Sequence, residues 1–496
     1  MSLEMRFNRS VDRLWNWFRW QSRLMQGRAR PDAPTGFHPW MATGALVLVA
    51  LAYQVVSGGL LLLYYQPSTY PTLTLCGQTT GSLSAAPAAW CSTYYLMHSV
   101  PMGAVLLTSH LYGAYVVIFL LLVHLFRGFF VGNYKQPGGR SSWMAGTLLL
   151  LLTLGMGFTG YLLTYTQLSY NATQVSITLV QALPVVGSPI ANLVMGDGTP
   201  QSLLSRMFAF HVILLPVAIA VLVFFHKRNV LFPRVLVPLV KWGLLYVGTL
   251  LGVASVWLWS LPTYAGSSGG AQAVTVPAWY FLWVFKLVDF DGVTPEAAML
   301  FTTVLVLVFL LLPFLDRSGS MHPRDRPVFV FLGSSLLGFF VLMTAWGDLA
   351  PGVPISPEEA AARLGPIVVA NALAVGFFYV RYRRSAANVG PSKATPTIPV
   401  EVSPTAPGPH ARGTVTPSVL SLAGLVGALF LLTFGLVLPS LFLLAAFLVQ
   451  LAEVARPSVA VARAGTPGGS APWVFPVVGL ASVGALWLAL VLAVAL

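Results

Sequence analysis

Two pairs of histidines buried in apolar runs constrain this chain more than any other feature. His110 and His124 lie in TSHLYGAYVVIFLLLVHLFRG, and His211 and His226 in RMFAFHVILLPVAIAVLVFFHKR. Read as helices, intervals of 14 and 15 residues set the imidazoles of each run about 21 and 22 Å apart at the α-helical rise. At about 100° per residue both intervals come near four full turns, so each helix keeps its histidines on roughly one face. Ionisable groups at bilayer depth are costly and are functional candidates for that reason. A single such histidine often only packs or hydrogen-bonds. Four of eight histidines in two matched pairs point to metal ligation. Side by side, the two helices would present one imidazole pair near each membrane face, a frame for two stacked metallo-cofactors. Bis-histidine haem suits the pattern better than zinc, because no cysteine or carboxylate sits near these positions.

With 56% of 496 residues hydrophobic and 8% charged, the chain reads as an all-α, polytopic transmembrane helical bundle and not a barrel. Apolar spans fall near 39–65, 101–130, 144–166, 204–226, 237–259, 297–315, 328–346 and 364–382. Two more follow at 418–452 and 473–496, the first read as one span kinked at Pro439, with a hairpin there as the alternative. The total is about ten transmembrane helices around a four-helix dihaem core. The organisation is then an interfacial segment 1–36, a haem-binding part 37–232, a second four-helix part 233–384, a Pro-, Ala-, Thr- and Gly-rich linker 385–417, and a transmembrane extension 418–496. No cleavable signal peptide is evident, and VDRLWNWFRWQSRLM reads as an amphipathic surface helix or an ordinary basic flank.

The net charge of +13 does not mark a nucleic-acid binder, because the cations cluster in alternate loops as orientation signals do. Arg127, Lys135, Arg140, Lys227, Arg228, Arg317 and Arg326 fall on one side; Arg206, Lys286 and Arg363 fall on the other. The expected setting is a prokaryotic plasma membrane, crossed many times, with a cytoplasmic N-terminus. Both cysteines, Cys76 and Cys91, lie in the first outer loop, either as a disulfide or as two free thiols.

Glycines repeat the histidine spacing. Gly44 and Gly58 lie in the first span, Gly146 and Gly160 in the third, each pair 14 residues apart. A glycine lets a flat ring approach the backbone where a β-carbon would collide. The two pairs are expected on helices flanking the first histidine helix, at the edges of two macrocycles. Packing of small residues between helices is the alternative.

These features, with HLFRGFFVGNYK, WMAG, GYLLTYTQLSYNATQV, ALPVVGSPIANLVMGDG, SRMFAFHVILLP and PAWYFLW in that order, make residues 1–384 resemble the cytochrome b subunit of the cytochrome bc1 and b6f complexes. The resemblance implies two haems, b-type, and quinol or quinone as substrate. It implies that His110 and His211 ligate the low-potential haem near the outer face, and His124 and His226 the high-potential haem near the inner face. Arg127 and Arg206 would pair with haem propionates or anchor the interface. Quinol would be oxidised near Pro277, Trp279, Tyr280 and Tyr165. One electron would pass to a Rieske-type iron–sulfur partner, which two cysteines are too few to supply within this chain. The other would cross the membrane between the haems, coupled to proton movement. Further respiratory subunits, a cytochrome or an oxidase, are the other implied partners, and a homodimer is left open.

Three sites depart from the family. The acid of its P-E-W-Y motif is Ala278, its P-W-G is Thr164, Tyr165 and Thr166, and its arginine three residues before the first ligand is Leu107. Ala278 has no titratable atom, so Tyr280, Tyr165, Asp289 or Asp291 would have to receive the quinol proton. That loss gives weight to an alternative, a dihaem membrane anchor that relays electrons without bifurcation.

Overall fold

In the computed structural model the described residues are 43–72, 76, 86–183, 185–226, 233–266, 276–321 and 323–388. They form twelve helices, with isolated bridges and no named strand among them. The interfacial segment 1–36, most of the linker and the extension 418–496 lie outside the described residues.

All eight expected spans up to residue 388 are helices, seven of them long and apolar enough among the described residues to cross a membrane. They are α1 (Thr43–Leu62), α3 (Gly103–Val131), α4 (Gly139–Leu163), α7 (Pro200–His226), α8 (Pro233–Val256), α10 (Pro295–Leu315), α11 (Pro327–Leu349) and α12 (Pro357–Asn388). Local chemistry sets their ends. Thr199 and Thr294 cap α7 and α10 through their side chains, each with proline at the first helical position, where its missing N–H is no loss. Gly132, at φ +71°, ends α3 and returns its N–H to the carbonyls of Gly128 and Phe129.

Several boundaries differ from expectation, most at α4 and α12, because polar turns extend the helices beyond their apolar centres. α4 begins at Gly139, within GRSS, and not near 144. α12 starts at Pro357, with Glu358 and Glu359 favourably placed in its first turn, and continues into the expected linker.

Between the spans lie shorter helices: α2 (Ala88–Ser99), α5 (Gln167–Gln181), α6 (Gly187–Met195) and α9 (Leu282–Val288). Cys76 and Cys91 are joined in a disulfide that ties the outer loop to α2. Trp90 of that helix stacks on Tyr94 and donates its indole N–H to the carbonyl of Pro262 at 2.8 Å.

Two antiparallel partnerships, α1 with α3 and α4 with α7, make the bundle; α3 also meets α4, and α8 lies against α1 and α3. At the opposite end from the disulfide, a buried ionic clasp fastens α10 and α11 to the end of α3. Asp316 accepts hydrogen bonds from Tyr134 (2.6 Å), Lys135 (2.9 Å) and Arg326 (2.6 Å). Arg326 reaches back to the carbonyl of Phe129 at 3.3 Å. A buried carboxylate is tolerable only with such partners.

Candidate metal centre

The four histidines on α3 and α7 meet in two pairs. His110 faces His211 with ring centroids 6.4 Å apart and planes at 79°. His124 faces His226 at the same 6.4 Å with planes at 72°. A metal–imidazole bond of about 2.0 Å on each side, with the radius of a five-membered ring, calls for about 6.2 Å between centroids when one metal lies between two imidazoles. Both pairs stand close to that separation. No group of three or more His, Cys, Asp or Glu gathers as a metal site among the described residues. The ligating unit on offer is therefore a pair of imidazoles, which suits a macrocycle that fills the remaining positions itself.

The unequal intervals need an explanation, since one extra residue in a regular helix turns a side chain by about 100°. A π-turn at Phe210–Leu214, containing His211, supplies it. Such a turn accommodates one additional residue inside an α-helix. The 15-residue interval of α7 thereby acts in phase with the 14-residue interval of α3.

Each of the four glycines sits against one imidazole. A β-carbon on Gly58 would lie 3.1 Å from Cε1 of His110, and one on Gly44 3.2 Å from Cε1 of His124. On Gly160 it would lie 2.5 Å from Cε1 of His211, and on Gly146 2.9 Å from Cε1 of His226. The imidazole itself stands against each glycine, and the second glycine pair faces the second histidine helix, because α4 packs on α7 as well as on α3.

The sequence reading missed the hydroxyls beside these glycines. Ser57 lies 2.8 Å from Nδ1 of His110, Thr43 3.0 Å from Nδ1 of His124, Thr159 3.2 Å from Nδ1 of His211 and Ser142 3.5 Å from Nδ1 of His226. Holding Nδ1 leaves Nε2 for a metal. The signal was legible at three sites as a hydroxyl residue directly before glycine: Thr43–Gly44, Ser57–Gly58 and Thr159–Gly160.

The arginines differ. Arg127 is buried on α3, and its Nε has no hydrogen-bond partner among the described residues. An unpaired buried guanidinium nitrogen is costly, and an anionic substituent such as a propionate would satisfy it. Arg206 donates to the carbonyl of Leu193 at 2.7 Å and packs on Gly196, closing the corner between α6 and α7. An unpartnered arginine, glycine cradles and opposed imidazoles together fit haem.

Near Ala278 the structure gathers phenols. Tyr280 is buried with its hydroxyl against Gly157 of α4, where a β-carbon would collide with it. Its ring is 6.2 Å from that of Tyr115. Burial, with Tyr115 and Tyr161 nearby, pushes its hydroxyl far above the usual tyrosine range. Trp279 meets Phe340 of α11, and Pro277 is half-buried beside them. Tyr165 sits at φ +50° in the corner between α4 and α5, packed with Leu162, Leu204 and Met207. Burial and then Tyr170 push its hydroxyl up to about 12. Asp289 is paired with Lys286 at 2.9 Å and accepts from the N–H of Gly352 at 3.2 Å. Asp291 is exposed.

Known proteins share this architecture. Residues 115–232 match the family described as Cytochrome b(N-terminal)/b6/petB, and residues 271–362 the one described as Cytochrome b(C-terminal)/b6/petD. A cytochrome b of Sulfolobus acidocaldarius is 32% identical over 394 residues, 68% of this chain, and the chain spans 66% of that protein's length. The menaquinol:cytochrome c reductase cytochrome b subunit of Geobacillus thermodenitrificans is 34% identical over 178 residues, 36% of this chain and 71% of that one. A solved structure titled hyperthermophilic respiratory Complex III shares the fold. Its TM-score is 0.54 at 23% identity, over 70% of this chain and 92% of that one.

Proposed function

We propose that this chain, which belongs to the cytochrome b family of the bc1 and b6f complexes, is the dihaem membrane subunit of a quinol-oxidising respiratory complex coupled to proton translocation. The reading rests on one observation above all, two imidazole pairs each 6.4 Å apart. His110 with His211 would hold the outer haem, and His124 with His226 the inner. When bound, b-type haem supplies one-electron transfer. The chain's part is to hold and orient. α3 and α7 fix the ligands at two depths, Gly44, Gly58, Gly146 and Gly160 admit the rings, and Arg127 offers its free nitrogen to a propionate. Arg206 is the weaker propionate candidate, since the α6–α7 corner uses part of it.

Pro277, Trp279, Tyr280 and Tyr165 are the candidate outer quinol site, with Tyr115 and Tyr161 as further phenols beside Tyr280. Partners would be a Rieske-type iron–sulfur protein and a cytochrome or oxidase subunit, in the plasma membrane of a prokaryote with the N-terminus cytoplasmic. A homodimer remains compatible with the exposed apolar face of α7.

A second reading, a dihaem anchor relaying electrons without bifurcation, is favoured by Ala278 and by the locking of Asp289 onto Lys286. Pyridine haemochrome analysis of the purified chain should count two b-type haems; none, or one, overturns the dihaem proposal. Reduction of a Rieske partner by quinol, blocked by outer-site quinol analogues, separates the first reading from the second.

A further inference from the structure

We propose that Ser57 and Thr159 are positioning residues that fix both outer imidazoles as Nδ1–H tautomers and thereby lower the reduction potential of the haem held between them. The inference rests on the dihaem reading and goes beyond it to two side chains that touch neither metal nor quinol.

A serine hydroxyl has one hydrogen to give. That of Ser57 lies 2.8 Å from the carbonyl oxygen of Tyr53 and 3.4 Å from that of Gln54, and carbonyls only accept. With its hydrogen on the preceding turn, as serine and threonine in helices commonly arrange, Oγ has only lone pairs to offer Nδ1 of His110 at 2.8 Å. Nδ1 must therefore carry the hydrogen, which puts the lone pair on Nε2.

Thr159 repeats the arrangement on the facing ligand. Its Oγ1 lies 2.9 Å from the carbonyl oxygen of Gly155, 3.2 Å from that of Met156, and 3.2 Å from Nδ1 of His211. A second contact reaches the same assignment independently. Nδ1 of His211 is 3.1 Å from the carbonyl oxygen of Met156, which cannot donate. Each hydroxyl directly precedes the glycine whose missing side chain lets the ring come this close.

A ligating imidazole whose remote N–H donates a hydrogen bond is a more basic ligand. A more basic axial ligand favours the oxidised, more positive metal, so the potential falls. Both ligands of the outer haem are treated alike, and the two contributions act in the same direction.

The test uses the full chain with its haems, titrated potentiometrically and followed by optical and EPR spectra. The outer component is the one that His110→Leu removes. Ser57→Ala and Thr159→Val should each raise the outer midpoint potential, the double variant should raise it further, and the inner potential should stay put. Ser57→Thr and Thr159→Ser should return to the parent value. Haem-loaded Ser57→Ala and Thr159→Val proteins with the parental outer potential would overturn the proposal, as would equal movement of both haems. Where either substitution prevents haem uptake, proton and deuterium ENDOR of the parent carries the test. An exchangeable hydrogen on the remote nitrogen of each outer ligand is expected, and its absence overturns the assignment. A parent with fewer than two haems sinks the dihaem reading itself, a separate and distinguishable outcome.

Discussion

The α1–α3 partners leave their imidazoles 3.1 and 3.2 Å from the β-carbon positions of Gly58 and Gly44, whereas the α4–α7 partners leave only 2.5 and 2.9 Å at Gly160 and Gly146. α3 reaches its two ligands through regular helix; α7 needs the π-turn at Phe210–Leu214. The same task is thus done with different tolerance. Where the helix carries an additional residue, the imidazole stands closer to its neighbour's backbone and a missing side chain matters more.

The sharpest way to break this comparison is to shorten each histidine helix by one residue. Deleting Ile118 from α3 would rotate one imidazole by about 100° relative to the other, and the haem count should fall from two to at most one. Deleting Leu214 would remove the π-turn's extra residue and give α7 the interval of α3, so both haems should remain. A haem lost on deleting Leu214 would refute the account of the π-turn.

Gly160→Ala comes next. The added methyl would meet His211 directly, and displacing that ring should empty the outer site while the inner haem persists, read as a halved haemochrome signal. Asp316→Asn tests whether the frame holding both partner sets is as fixed as the comparison assumes. Breaking a buried ion pair costs about 3–5 kcal/mol, visible as a lower Tm with both haems still bound. Burial alone would raise the Asp316 carboxyl, but hydrogen bonds from Ser318, Tyr134, Lys135 and Arg326 outweigh it and hold it below the ordinary carboxylate range. A depressed carboxyl contributes fully above its unfolded value of about 3.9 and less as pH falls through the folded one. The parent's Tm advantage over Asp316→Asn should therefore hold at neutral pH and shrink below about pH 4. The smallest effect belongs to Gly44→Ala. A shift of a few tenths of an ångström by His124 accommodates the methyl, so two haems should remain, with a Tm change corresponding to less than about 1 kcal/mol.

Much of this was written in the chain. Long apolar runs fixed the spans, and the histidine and glycine intervals marked the ligands and their cradles. α2 escaped because AAWCSTYYLMHS has little helical periodicity and its proline N-cap makes no side-chain hydrogen bond. The π-turn escaped because an additional residue in FHVIL leaves no compositional mark. The hydroxyls at 43, 57, 142 and 159 escaped for another reason. Serine and threonine are ordinary in apolar helices, where they bond the preceding turn, and Ser57 and Thr159 do that as well. Tyr165 is a candidate for the quinol site on motif order, and Tyr161 was not singled out. The positive φ of Tyr165 turns the chain into the α4–α5 corner, while Tyr161, one turn earlier on α4, comes near Tyr280.

The clasp around Asp316 sets an order for biosynthesis. Lys135 leaves the ribosome 181 residues before the carboxylate that receives it. Until then its ammonium must stay in contact with water or lipid headgroups, so the end of α3 cannot settle into its final burial. Insertion of the first half and its locking are separate events in time, and the arrival of α10 joins them.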